Sequence, residues 1–391
     1  MATLDFTSQD LIDNPYPFYE EIRAHGEIVW DEVNKVWLIP SDRFCRKLMS
    51  NFSQAGMEGT LSTGLFGEEA FIVIDDKKRH DALRAVWEVA FRATTIKHLT
   101  GRVEDMVDGL LAPIVERMQD GETVDIKKLF CRDLPVQVIS EMFGVAPEMR
   151  PLITKWSDDM MTSIQYLGDP DAPEHGIAEE ARKGLAQFLF DEVRARRAKP
   201  TDDLIGQIVN SEVGKTLSDE QVMVNCRQLL FAGNETTAQW LAQGIFTLGN
   251  QPEELAALTA NLDNVPATME EVMRWDSVSQ WLERRVKDEP IDLGGQTLEP
   301  GSLAVLLVGA ANRDPNRYDE PQTFNPRREQ KGHLSFGFGM HHCLGAALAR
   351  FEVAVAIPRF LKAVPRYILD GAPVYSHSMA RSPNQVSIRL S

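Results

Sequence analysis

Gly337, Gly339 and Gly345 surround a single cysteine in Phe336-Gly-Phe-Gly-Met-His341-His342-Cys343-Leu-Gly345, and an apolar, alanine-rich run follows at once. That order predicts a glycine-opened loop entering a helix just after the cysteine. The free backbone N–H groups and the dipole of such a helix favour a thiolate, and the glycines let a flat ligand approach the sulfur closely. Phe336 is placed to shield the sulfur from water. An ordinary buried cysteine at a loop-to-helix junction would account for Cys343 taken alone. Zinc fits less well, because Cys45, Cys131 and Cys226 are scattered singly and no Cys-x-x-Cys or His-x3-His spacing accompanies Cys343.

The remaining composition sets bounds on function. The 391 residues are 43% hydrophobic and 25% charged, which is globular chemistry with room for a large core in one domain or two closely packed parts. Asp10, Asp13, Glu20 and Glu21 interrupt the early apolar runs, so neither a signal peptide nor a membrane span is expected. Four unpatterned cysteines suit a reducing cytoplasm. A formal net charge of −17 argues against nucleic acid as a partner, since phosphate binding needs a basic face.

Periodicity predicts a mainly α chain with small β-sheets. Ile28-Val-Trp30 and Val36-Trp-Leu-Ile39 read as a hairpin. From about Arg79 to Asn261 the pattern is helical, with turns at Gly121, Gly144-Pro147, the Gly168 to Gly176 segment and Pro200. Within it, Asp219 to Leu248 forms one long helical segment. Arg284 to Val308 alternates as short strands do, a helix follows Cys343, and Val374 to Leu390 reads as terminal β-structure.

The pattern Phe-Gly-x-Gly-x-His-x-Cys-x-Gly, continuing through Ala-Ala-Leu-Ala-Arg350-Phe-Glu352, resembles the haem-binding loop of the cytochrome P-450 family. The resemblance implies the cytochrome P-450 fold, haem b as cofactor and Cys343 as the proximal iron ligand. It implies that His80 and Arg84 of His80-Asp-Ala-Leu-Arg84, with Arg285 and His341, bind haem propionates. The family usually carries Pro-Pro-Glu before that first histidine, where this chain has Lys77-Lys78-Arg79.

Ala232-Gly233-Asn234-Glu235-Thr236-Thr237 resembles the family's acid-alcohol pair. Close packing alone could explain a mid-helix glycine that costs about 1 kcal/mol relative to alanine. By resemblance, Gly233 opens a groove for dioxygen, Thr236 orders it, and Glu235 feeds protons from solvent. Glu271-Val-Met-Arg274 and Arg328 match the family's buried structural trio, and Ser277-Val278-Ser279-Gln280 stands where the family usually has Ser-Pro-Val-Gln. Ala311-Asn312-Arg313-Asp314-Pro315 matches a bacterial form.

The resemblance therefore implies a soluble monooxygenase that hydroxylates a small hydrophobic substrate with O2. Its electrons would come from NAD(P)H through a ferredoxin reductase and a ferredoxin. Two rival readings are a peroxide-dependent haem-thiolate peroxygenase and a haem-binding sensor. The Met57 to Ile74 segment, with Leu61, Leu65, Phe66 and Phe71, is expected to cover the substrate pocket, joined by Leu230, Gly233 and Trp281 and by Met160 and Met379. Arg327, Arg328, Lys331, His342, Arg350 and Arg359 crowd the sequence around Cys343 and predict a local basic patch for an acidic ferredoxin.

Overall fold

Ser218 and Gln221 close a capping box at the start of the helix that organises the interior, Asp219–Gly249. The Ser218 hydroxyl accepts the Gln221 N–H at 3.1 Å, and the Gln221 side chain accepts the Ser218 N–H at 3.1 Å. Leu230, Trp240, Leu241 and Ile245 are buried along it, as expected of a helix that is apolar on all sides and runs through a protein interior. The computed structural model describes residues 3–166, 171–376 and 378–391.

Helices Asp133–Phe143, Pro173–Ala198, Val265–Trp275 and Ala346–Ala363 pack directly on this central helix. Ala346–Ala363 also packs on Thr100–Gln119, which fixes the element that follows Cys343 from two sides. One main core cluster runs through these contacts.

A five-stranded sheet flanks the helices in the order Val29–Asp31, Val36–Ile39, Leu303–Leu306, Leu282–Val286, Ala55–Gly56. Its first pair is the expected hairpin, with Trp30 opposite Trp37. Val36–Ile39 runs parallel to Leu303–Leu306, and the other pairs are antiparallel. A three-stranded sheet joins Val124–Asp125, Ser387–Leu390 and Tyr367–Leu369, and a two-stranded one pairs Ile291–Asp292 with Thr297–Leu298.

Two local expectations change. Among the described residues the stretch from Val374 to Leu390 forms a single antiparallel bridge between Ala380 and Ser279 and a strand at Ser387–Leu390. Before that it runs as a loop held by single bonds, such as Gln280 N–H to Met379 O at 2.8 Å and Arg381 N–H to Val278 O at 2.7 Å. The turn expected over Gly168 to Gly176 begins in residues 167–170, outside the described residues, and the helix Pro173–Ala198 already contains Gly176.

Lys77-Lys78-Arg79 forms the first turn of helix Lys77–Glu88, which the Asp76 side chain caps by accepting the Arg79 N–H at 2.7 Å. Cations at a helix N-terminus oppose its dipole. Here Lys77 pairs with Asp81 and Arg79 with Glu69.

Candidate active site

The loop around Cys343 depends on two left-handed glycines. Gly337 has φ +70° and Gly339 φ +74°, and a Cβ on Gly339 would stand 2.6 Å from the Met49 carbonyl oxygen. The Cys343 N–H donates to Phe336 O at 2.8 Å, and Gly345 caps the helix that follows. Cys343 is exposed while Cys45, Cys131 and Cys226 are buried. Desolvation nonetheless pushes its thiol pKa up, opposed by the N–H of Gly345, by Arg84 and Arg350, and by the N–H of Ala346.

Phe336 is braced from several sides. Its ring meets Trp240 edge-on at 5.6 Å, and the Arg350 guanidinium lies 4.4 Å from its centroid. Arg350 in turn holds Glu270 through two bonds, at 2.7 and 3.0 Å. His333 Nε2 stands 3.2 Å from Glu270 Oε2, an electrostatic contact rather than an aligned hydrogen bond. Burial works to raise the Glu270 carboxyl, but His333 and Arg350 outweigh it and pull it down to about 2.

Beside this loop the structure gathers imidazoles and cations that lack acceptors. His80 is fully buried, with Nδ1 at 3.0 Å from Asp81 Oδ1 and Nε2 without a partner. The His341 ring stands edge-on to it at 4.7 Å, and neither of its nitrogens has a hydrogen bond. Asp75 Oδ1 is 3.9 Å from His341 Nε2, too far for one. Burial lowers both histidines, His341 to about 4. Arg84 is half-buried and makes no hydrogen bond or ion pair with the described residues, although its charge is felt at Cys343 and His80.

Arg285 does not join this group. Its Nε and Nη2 donate to Gly59 O at 3.2 and 2.8 Å, and its Nη1 to Gly301 O at 3.1 Å. The neighbouring Arg284 does join, because successive strand residues point to opposite faces. Arg284 is 2% exposed, its Nη1 reaches Met57 Sδ and Glu283 O at 2.7 Å each, and its buried Nε has no partner. Burial pulls its pKa down to about 10. Strand alternation is the signal that separates the two arginines. Orphaned donors on His80, His341 and Arg284 fit an anionic ligand beside a cysteine thiolate, as haem propionates require.

The central helix stays continuous through the acid-alcohol motif. The Thr236 hydroxyl donates to Ala232 O at 2.8 Å, a back-bond to the preceding turn. A Cβ on Gly233 would find Ile139 no closer than 3.7 Å, so tight packing is not the reason for this glycine. Desolvation raises the Glu235 pKa, while Arg132 and Lys127 pull it down. Lys127 comes from a π-helical turn, Lys127–Cys131, that packs on the central helix, and its Nζ donates to Ser382 Oγ at 2.9 Å and Pro383 O at 2.6 Å. Such turns often mark functional sites, and the sequence pattern did not single this one out.

The pocket candidates separate. Phe66 ends the short helix Leu61–Phe66, and its ring meets Phe231 at 6.0 Å. Leu65 packs beside it, and Phe71 and Met160 belong to the same main core. Leu230 is fully buried in that core and offers no surface to a ligand. Trp281 instead packs against Phe6 at 5.1 Å in a cluster that Leu61 and Met379 border. A cavity of about 580 Å³ lined by Tyr16, Trp275, Arg313 and Arg381 touches neither Cys343 nor Thr236.

Glu271 is fully buried, and Arg274 clasps it at 2.7 and 2.8 Å. Arg328 Nε adds a bond to Glu271 Oε1 at 3.2 Å. The cations expected to form a basic patch around Cys343 are mostly paired in the structure. Arg327 pairs with Glu254, Arg350 with Glu270, and Arg359 with Glu104 and Asp108, while Lys331 lies 4.0 Å from Asp319. These cations are largely neutralised within the chain, because acids distant in sequence fold back onto them.

Among the described residues no helix is long and apolar enough to cross a membrane. The Cytochrome P450 family profile matches residues 43–364. Cytochrome P450 monooxygenase PikC of Streptomyces venezuelae is 31% identical, over 97% of this chain and 92% of that protein. Steroid C26-monooxygenase of Mycolicibacterium smegmatis is 31% identical, over 78% of this chain and 75% of that protein. The crystal structure of CYP109E1 from Bacillus megaterium in complex with testosterone superposes with a TM-score of 0.87 at 26% identity, covering 98% of this chain and 99% of that one. The chain belongs to the cytochrome P-450 family.

Proposed function

We propose that the chain hydroxylates a small hydrophobic substrate, taking one oxygen atom from O2 and electrons from NAD(P)H through a ferredoxin reductase and a ferredoxin. Monooxygenase chemistry and haem b come with family membership. The electron route, the residue roles, a single domain over residues 1–391 and a cytoplasmic location are our reading. Its strongest support is the convergence of Cys343 with His80, Arg84, Arg284 and His341, whose free donors suit the cofactor's acidic groups.

Bound haem supplies thiolate-assisted activation of dioxygen. Cys343 would hold the iron, and the N–H groups of Gly345 and Ala346 with Arg84 and Arg350 favour its charged form. Phe336 keeps water from the sulfur. His80, Arg84, Arg284 and His341 would hold the propionates through their free donors. The Thr236 hydrogen is committed to Ala232 O, which leaves its oxygen free to accept a hydrogen bond from water in the groove beside Gly233. Burial favours the protonated form of Glu235, so it can serve as a proton donor, and Arg132 and Lys127 stabilise the anion left behind. This relay favours oxygen with reductant over peroxide, because peroxide brings its own protons.

The apolar surroundings of Leu65, Phe66 and Phe231 favour a hydrophobic substrate. The relatives named as a P450 monooxygenase and a steroid C26-monooxygenase agree with it. Product formation with NADH and redox proteins tests it, against peroxide alone and against no oxidant source. Turnover with peroxide alone and none with the redox chain would overturn it.

A further inference from the structure

The central helix carries a buried cation that has no anion. Arg227 is 3% exposed. Its Nη2 donates to Phe66 O at 2.7 Å, and its Nε is buried without a partner. Among the described residues it forms no ion pair. Glu179, the acid whose charge it feels, is gripped by Arg182 at 2.6 Å through both carboxylate oxygens, and Arg182 is itself a repelling cation.

Arg227 therefore stands where an apolar residue would fit at less cost. Burying a charge without a counter-charge is expensive, and a buried ionic group can often be replaced by a hydrophobic one of similar size without loss. The Phe66 carbonyl occupies one of five guanidinium N–H donors. That bond ties Arg227 to the end of helix Leu61–Phe66 but leaves most of the fork unused. The surroundings belong to the proposed pocket: Phe231 follows one turn later, and its ring meets Phe66 at 6.0 Å.

We propose that Arg227 anchors a carboxylate carried by the substrate, so that the natural substrate is an apolar molecule ending in a carboxylic acid. A carboxylate matches the planar guanidinium fork and restores charge balance in the pocket. Arg227 precedes Thr236 by nine residues, which at the helical rise is about 14 Å along the axis. The oxidised carbon then lies well away from the acid group. This inference rests on the monooxygenase reading, in which Thr236 marks the reacting end.

The test compares dodecanoic acid, hexadecanoic acid and a cholanic acid with their methyl esters, by calorimetric binding to the holoenzyme. At least one acid should bind about tenfold or more tightly than its ester, the scale of a charge-assisted hydrogen bond. Arg227→Gln should abolish that preference, and Arg227→Lys should keep part of it through charge without the fork. The aliphatic and steroid acids distinguish which apolar body the pocket takes. Acids binding no better than esters to the unmodified protein, or a preference that survives Arg227→Gln, would overturn the proposal. If Arg227→Gln fails to take up haem, the wild-type comparison and Arg227→Lys decide. A missing thiolate spectrum in the unmodified protein would instead strike the monooxygenase reading itself.

Discussion

Arg284 and Arg285 are chain neighbours on one strand, yet their guanidinium groups end on opposite sides of the sheet. Arg284 is buried against Met57 and within electrostatic range of His341, whereas Arg285 spends its donors on the Gly59 and Gly301 carbonyls. Only the first has an unfilled donor facing the site. Arg284→Gln should therefore speed haem loss by about tenfold or more, the scale of a charge-assisted bond. Arg285→Gln should leave it nearly unchanged. Transfer of haem to an apoglobin measures both rates, and equal losses would reverse the assignment.

The relay through Glu235 and Thr236 predicts two separable defects. Thr236→Ala should still bind haem and substrate but divert electrons to hydrogen peroxide. Glu235→Gln should slow turnover on the order of a hundredfold, as expected for loss of a general acid. Because burial raises the Glu235 pKa, its proton is present at low pH and lost as pH rises through that value. Turnover should fall along that limb, and Glu235→Gln should remove the limb. Coupling of NADH to product, followed against pH, is the measurement.

Much of this site was legible in the residues. The loop from Phe336 to Gly345, the long helix and the Glu271-Arg274-Arg328 trio are local patterns or motifs with fixed spacing. What escaped depends on contacts between distant segments. Which arginine of the 284–285 pair faces inward is decided by sheet register, and the neutralised patch around Cys343 by acids such as Glu254 and Asp108 that fold back onto it. The π-turn carrying Lys127 has no sequence signature, since a single extra residue in a helical turn leaves the apolar pattern intact.

Glu270 should govern the acid limb of stability. Its folded pKa of about 2 lies below the 4.5 of an ordinary glutamate carboxyl. A depressed carboxyl stabilises the fold above its unfolded pKa and loses that contribution as pH falls from about 4.5 towards about 2. The shift corresponds to about 3 kcal/mol at neutral pH. Glu270→Gln should lose stability at pH 7 and flatten the acid limb, as read by denaturant melts across that range.

Glu271→Gln tests the buried trio. It leaves the Arg274 guanidinium buried with its charge uncompensated, so the cost should be about 3–5 kcal/mol. A change below about 1 kcal/mol in chemical denaturation, the range of an exposed pair, would show that the trio is not a structural anchor.

The central claim is that Cys343 binds haem iron as a thiolate. The carbon monoxide spectrum of the reduced protein tests it most directly. The unmodified protein should show the far red-shifted Soret band of thiolate ligation, and Cys343→Ala should lose it while keeping its helical content. A red-shifted band that persists in Cys343→Ala would contradict the account.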